Sequence, residues 1–328
     1  MVYGFKDSLR LASGNYHRYD FEGKTNRVFA LNGSYAYRNA LFFFESAMSA
    51  NNAAAFLAGI QMGLGYKSSL SVVYRNYDKK YHNFYANAVG NHSPNRNERG
   101  VYADFHRYVS SRFSYSAGFD WYYYPFMAYR AGKPSYGATA KAQLDFKLTQ
   151  RQQSNIYFRF LNHQYNSSVH KQPQQLADNA VCQLQLRHKV SLTPSLTAVA
   201  RAGYSHSFTE QSRKNQGWFA FTEFIYRNAA VPLSFNVRYT FFHTDDYDNR
   251  FYVYEYSLPL NYSSAVLQGK GHKLYVLAGY KIKDRAELHL RYTMTRYINN
   301  GGSISSGNTM VVGNMLHYIG MQVRYTFA

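Results

Sequence analysis

The last dozen residues, His317 to Ala328, set the strongest limit on what this chain folds into. Ile319, Met321, Val323, Tyr325 and Phe327 fall on one parity, and Tyr318, Gly320, Gln322, Arg324 and Thr326 on the other. Period-two alternation of this kind is a β-strand with one apolar and one polar face. The chain stops inside this strand, which we read as the strand that closes a sheet. The same pattern recurs upstream. Ala138, Ala140, Ala142, Leu144, Phe146 and Leu148 oppose Thr139, Lys141, Gln143, Asp145, Lys147 and Thr149. Leu233 to Phe241 and Ala286 to Thr295 alternate in the same way. Each run has about the 9–11 residues that carry a tilted strand across a bilayer.

Composition agrees with a membrane sheet and excludes a membrane helix. No run of about 18 apolar residues occurs, the minimum for a spanning helix. The mean hydropathy is −0.47, yet hydrophobic residues make up 46% of the chain, with 34 Tyr and 24 Phe. A strand that alternates hides its apolar face from any averaged hydropathy. Soluble sandwiches and propellers also alternate, but their strands are shorter, near 5–6 residues. No helical segment and no Gly/Pro-rich linker divides the chain. The expected fold class is therefore all-β: an antiparallel transmembrane β-barrel of roughly 16–18 strands. Aromatic groups at Trp121–Tyr124 and Phe251–Tyr254 are expected to form interfacial girdles.

In chain order, residues 1–25 form a poorly defined N-terminal segment with one strand between Ser8 and Tyr19. Residues 26–328 form the barrel. Strands are expected at Val28–Tyr37, Leu41–Met48, Ala53–Leu64, Leu70–Tyr77, Gly100–Arg107 and Phe113–Tyr123, with others from Ile156, Val181, Leu196, Trp218, Phe251 and Leu274. Short connections (Arg38-Asn39, Thr149–Gln152, Thr193–Ser195, Asn228–Ala230, Lys283–Arg285) alternate with long ones. The long ones are Asp78–Asn97, Tyr124–Pro134, Gln164–Asn179, Thr209–Gln216, His243–Asn249 and Arg296–Asn314. Short periplasmic turns and long outer loops are the signature of a bacterial outer-membrane barrel. That rhythm puts the C-terminus in the periplasm. Between Phe251–Ser257 and Leu274–Ile282 the parity needs one extra strand, placed at Tyr262–Leu267. The start, Met1 to Asp7, has no basic region followed by an apolar one. Either a signal peptide has been removed or the chain lacks its original N-terminus, and either the first barrel strands are missing or the barrel closes with fewer.

Several segments carry a resemblance to a known family. They are Tyr35-Ala36-Tyr37-Arg38-Asn39, Glu45–Ser49, Tyr74-Arg75-Asn76-Tyr77 followed by Tyr85–Ala88, Asn97–Tyr102 and Tyr124–Arg130. Later come Tyr254–Pro259, Gln268-Gly269-Lys270-Gly271 and the terminal Gln322–Tyr325. In this order they resemble the barrel portion of the Bacteroidetes outer-membrane helix-hairpin-helix (competence-protein-EA-like) family. The resemblance runs from about residue 26 to the end. It implies an outer-membrane barrel and, for the whole family architecture, an anchor in DNA uptake or envelope assembly. The paired helices and glycine hairpins of the periplasmic part have no counterpart here, so their DNA-binding role transfers to no residue of this chain.

The formal net charge is +19, which favours polyanionic partners. Basic residues on the polar parity of the strands are Lys141, Lys147, Arg159, Arg187, Lys189, Arg201, Arg238, Arg291 and Arg324. Two readings stand side by side. In one, these side chains line an electropositive lumen that favours anions. In the other, they pair with Asp120, Asp145, Glu223 and Glu287 to fill a closed one.

The single cysteine, Cys182, excludes an intrachain disulfide and reads as a small residue on a strand face. His243–Asn249 gathers oxygen ligands of the kind hard cations use, but without the spacing of a calcium loop. It reads first as a solvated loop, as does the polar Asn91–Asn97. No zinc, nucleotide or hydrolase motif is present, so neither enzyme, cofactor nor metal is expected. The partners expected are outer-membrane lipid and lipopolysaccharide, the barrel-assembly machinery, and a polyanion or DNA. The function expected is a porin-like passage or scaffold for polar, anionic solutes, with the family-derived anchor role as the alternative.

Overall fold

Alternating sequences of this length bury one face of a strand and leave the other outside, and backbone pairing does the rest. The computed structural model follows that logic. It describes residues 1–10, 14–91, 94–167, 175–208, 215–228, 230–261, 263–282, 285–298, 302–305 and 310–327. The strands of its first part are β1 (Val2–Leu9), β2 (Gly23–Tyr37), β3 (Ala40–Ser49), β4 (Ala54–Gly63), β5 (Ser68–Tyr77), β6 (Glu98–Tyr108) and β7 (Phe113–Tyr124). Then follow β8 (Ser135–Lys147), β9 (Gln152–Asn166), β10 (Leu176–Ser191), β11 (Leu196–Phe208), β12 (Gln216–Arg227) and β13 (Leu233–Thr244). The last are β14 (Phe251–Glu255), β15 (Ser263–Leu267), β16 (Lys270–Ile282), β17 (Ala286–Tyr297), β18 (Ser303–Ile304), β19 (Val311–Val312) and β20 (Met315–Tyr325). Among the described residues the only helical turn is 3-10, Asn15–His17.

Sixteen strands form one sheet in the order β1 to β13, then β16, β17 and β20. β14–β15 and β18–β19 are separate two-stranded sheets. Every pair whose register is described is antiparallel. The all-β, antiparallel fold class expected from the sequence is what the chain adopts, and the main sheet sits at the lower end of the expected strand number. By contacts the chain divides into two compact units. One comprises residues 1–143, 159–180 and 208–212, and the other residues 144–158, 181–207 and 213–328.

Side-chain exposure confirms the two faces. On β12, Gly217, Phe219, Phe221 and Glu223 are buried while Trp218, Ala220, Thr222 and Phe224 are exposed. On β20, Ile319, Met321 and Val323 are 71%, 67% and 61% exposed, on the apolar parity read from sequence. The two-residue reversal Arg38-Asn39 joins Tyr37 to Ala40 as expected. Arg38 sits in the left-handed region at φ 53, a conformation that tight hairpin turns require.

Three expectations are corrected. The N-terminal strand is Val2–Leu9, paired with β2, and not Ser8–Tyr19. Its alternation is poor because Lys6, Asp7 and Ser8 interrupt it, and its register shifts between Gly4 and Leu9. The extra strand exists at Ser263–Leu267, but it does not extend the main sheet: it pairs with Phe251–Glu255, and β13 pairs directly with β16. Phe251–Tyr254 is accordingly no girdle, since Phe251 and Val253, on the underside of this hairpin, are each 1% exposed. Two five-residue strands cannot span a bilayer, and parity counting does not register length.

Candidate functional site

The β14–β15 hairpin lies in the long connection between β13 and β16 and folds onto the polar face of its own unit. Its base is closed at Thr244, whose amide donates to Gly269 O (2.8 Å) and whose Oγ1 accepts from Gly269 N (2.8 Å). Gly269 takes φ 78 there, a backbone state for which glycine is the default.

The loop leading into the hairpin uses its oxygens on itself. Asp245 Oδ2 accepts from Gln216 N (3.0 Å), and Asp246 Oδ1 accepts from the amide and side-chain nitrogens of Asn249 (2.9 Å each). Asn249, fully buried, accepts from Ser205 Oγ and donates to Ser207 Oγ, both at 2.8 Å on β11. Gly217 makes room for it: a Cβ there would lie 2.8 Å from Asn249 O. These hydrogen bonds make His243–Asn249 a structural clamp, and no three potential metal-ligating side chains cluster among the described residues. His92 and Ser93 of the other polar loop lie outside the described residues.

The underside of the hairpin is apolar. Phe251, Val253, Ala265 and Leu267 form one buried cluster with Val199, Phe219, Phe221 and Phe242 of the sheet. Beyond that cluster the chemistry becomes ionic. Glu223 accepts from Arg238 Nη2 at 3.0 Å and from the Tyr275 hydroxyl. The other arm of Arg238 donates to Tyr254 O, in the hairpin, at 2.7 Å. Its guanidinium carbon sits 4.0 Å from the Phe221 ring centroid, within cation–π range. Glu255, at the end of β14, accepts from Arg291 Nη2 at 2.7 Å and pairs with Lys273 Nζ at 2.8 Å. Arg291 Nη1 also donates to Ser257 Oγ at 2.6 Å. The hairpin is thus tied to β13, β16 and β17 by charge-assisted bonds that water scarcely reaches.

All nine cations named from the sequence lie on strands of the main sheet, but the structure divides them. Arg238 and Arg291 are buried in the network just described. Arg324 reaches Glu287 at 3.1 Å, with its own side chain 55% exposed. Arg201 bonds to Gln185 Oε1, and the charges that act on it most are those of Arg187 and Arg238. Lys141, Lys147 and Arg187 are exposed and outside this network, and Arg159 and Lys189 are half-buried and also outside it. Of the carboxylates expected to pair with them, Glu223 and Glu287 do so. Asp120 pairs with Arg75 (2.8 Å), a cation outside that set, and Asp145 accepts from Asn155 Nδ2 (2.8 Å) among its interactions.

Two parts of this chemistry escape sequence reasoning. Glu255 shares the parity of Phe251 and Val253, and a carboxylate on an apolar parity is the signal that marks it. Arg75, with no exposed surface, binds Glu98 at 2.5 Å and Asp120 at 2.8 Å in the first unit. It is not among the cations singled out from the sequence, where nothing local shows its partners on β6 and β7.

No known family profile matches the chain, and no curated protein matches it in sequence. Solved structures are similar at low identity. A bacterial polysaccharide outer membrane secretin aligns with 93% of this chain and 92% of its own, at 9% identity and a TM-score of 0.38. The siderophore receptor PirA from Acinetobacter baumannii aligns with 93% of this chain and 71% of its own, at 7% identity and 0.40. The Pseudomonas putida toluene transporter TodX aligns with 91% and 86%, at 8% identity and 0.32. At these TM-scores the likeness bears on neither solute nor mechanism.

Proposed function

We propose that this chain is an outer-membrane β-barrel that passes polar, anionic solutes, with the β14–β15 hairpin narrowing the passage. The observation that carries this reading is the division of the sheet's two faces. One parity exposes large apolar residues such as Ile319, Met321 and Leu290, while the other buries the ion pairs of Arg238 and Arg291. Exposed apolar side chains on membrane-length strands are stable against lipid and costly against water. The short connections and the end of β20 then belong on the periplasmic side. Arg187 and Arg201 supply an electropositive stretch on the polar face without a carboxylate of their own in the network. Reconstitution in planar bilayers tests the proposal. Single-channel currents should show anion preference, and Arg201→Glu should shift the reversal potential toward cation selectivity. Absence of conductance, or cation preference in the unaltered protein, would overturn it.

A further inference from the structure

A second candidate site lies in the first unit, where the β1–β2 connection meets the segment between β5 and β6. There a cavity of about 480 Å³ opens between Leu9, Phe21, Tyr81 and Phe84, with Arg10 and His82 also on its wall. That volume falls within the range of small-molecule sites, roughly 300–1,000 Å³.

The walls are built rather than incidental. Phe84 meets Phe5 edge-on at 5.1 Å and Phe21 at 5.5 Å between centroids, and Phe21 meets His82 at 5.6 Å. Asn26, 3% exposed, donates from Nδ2 to Tyr3 OH and to His82 O, both at 2.8 Å. Tyr3 OH in turn accepts from Phe84 N at 3.3 Å. These bonds fix the aromatic box against β2. Yet Phe84 stays 51% exposed, an apolar ring held at the mouth of a cavity.

The charges on the wall do not cancel. Asp20 is bound by Arg96 and by His17. Burial first, and then Arg96, push His82 down to about 4, so its ring is neutral at physiological pH. Arg10 is left at the rim, outside the ion pairs of the described residues. The cavity therefore joins an aromatic interior to one net positive charge.

We propose that this cavity binds a small amphipathic monoanion, an aryl or short acyl carboxylate, with its apolar end between Phe21 and Phe84 and its carboxylate on Arg10. The site stands whether or not the barrel conducts.

Isothermal titration of the full chain in a zwitterionic detergent with 4-phenylbutyrate, and in parallel with 4-phenylbutan-1-ol, tests it. The acid should bind saturably and the alcohol about tenfold more weakly, the step expected when a charge-assisted bond is lost. Arg10→Gln, an exposed position, should bring the acid down to the level of the alcohol. Phe84→Ala should weaken both probes. Absence of saturable binding, equal binding of acid and alcohol, or an Arg10→Gln variant that binds as the unaltered protein does would each overturn the assignment.

Discussion

Glu255 of the hairpin and Arg291 of β17 meet at 2.7 Å, with side chains only 1% and 7% exposed. Removing one partner of a buried pair leaves the other charged and desolvated, at a cost of roughly 3–5 kcal/mol. Glu255→Ala strands two cations, Arg291 and Lys273. The apolar underside of the hairpin alone then has to hold it down. We expect the variant to keep its folded sheet but release the hairpin, with a larger single-channel conductance and faster cleavage within residues 245–269. Normal conductance alongside faster cleavage would show that the hairpin does not narrow the passage.

The glycine at position 100 is a second point of close approach. A Cβ there would lie 2.7 Å from Arg75 Cζ and 2.7 Å from Trp121 O. Arg75 cannot step aside without leaving Glu98 and Asp120. Gly100→Ala should therefore lower stability by about 1–3 kcal/mol, as overpacking does. A urea titration of the folded protein should show a lower midpoint with an unchanged slope.

How much of this was legible in the sequence follows from which interactions are local. The exposed apolar parity of β20 and β17 was readable because alternation needs only neighbours two residues apart. The first residues of β13 and β17, Leu233 and Ala286, were readable for the same reason, but the strands run on to Thr244 and Tyr297, past the expected Phe241 and Thr295. The fate of β14 and β15 was not. Their alternation, Phe251, Val253 and Glu255 against Tyr252 and Tyr254, is that of any strand, and only their length and the partners of Glu255 reveal an inserted hairpin. The ionic network was half legible: Arg238 and Arg291 stood out as polar-face cations. Their carboxylates lie 15 and 36 positions away in sequence, where pairing is set by sheet register and hairpin folding.

Acid should loosen the β5–β6 connection, and the β1–β2 connection that meets it, before the sheet. His82 titrates at about 4 when folded, against an ordinary value of 6.5, because burial and then Arg96 disfavour its charged form. An unfolded segment takes up the proton below about 6.5 and the folded one does not. Its contribution is therefore intact above that pH and is lost as pH falls toward 4. Asp20 acts in the same direction at lower pH. Burial alone would raise its pKa, but the hydrogen bonds and charges of Arg96 and His17 outweigh burial and lower it. Its contribution is lost as pH falls below 3.8. Hydrogen-exchange protection factors in residues 1–10 and 78–91, corrected for the intrinsic pH dependence of amide exchange, should fall between pH 7 and 5, and His82→Gln should flatten that response.

The two faces of the last strand give the sharpest test of the membrane reading. Met321 is 67% exposed and lies opposite Leu290, itself 44% exposed, on the apolar parity. Gln322 lies opposite His289 on the other parity. A cation on the lipid side of a barrel costs about 2–4 kcal/mol near the bilayer midplane, whereas the same change on the inner face is tolerated. Met321→Arg should therefore reduce the amount of folded, heat-modifiable protein recovered in outer-membrane fractions, while Gln322→Arg should leave it close to the unaltered level. The opposite order would place the apolar parity away from lipid and sink the barrel assignment. Equal tolerance of both changes would do the same, since a face that accepts arginine as readily as its polar counterpart is not in contact with hydrocarbon.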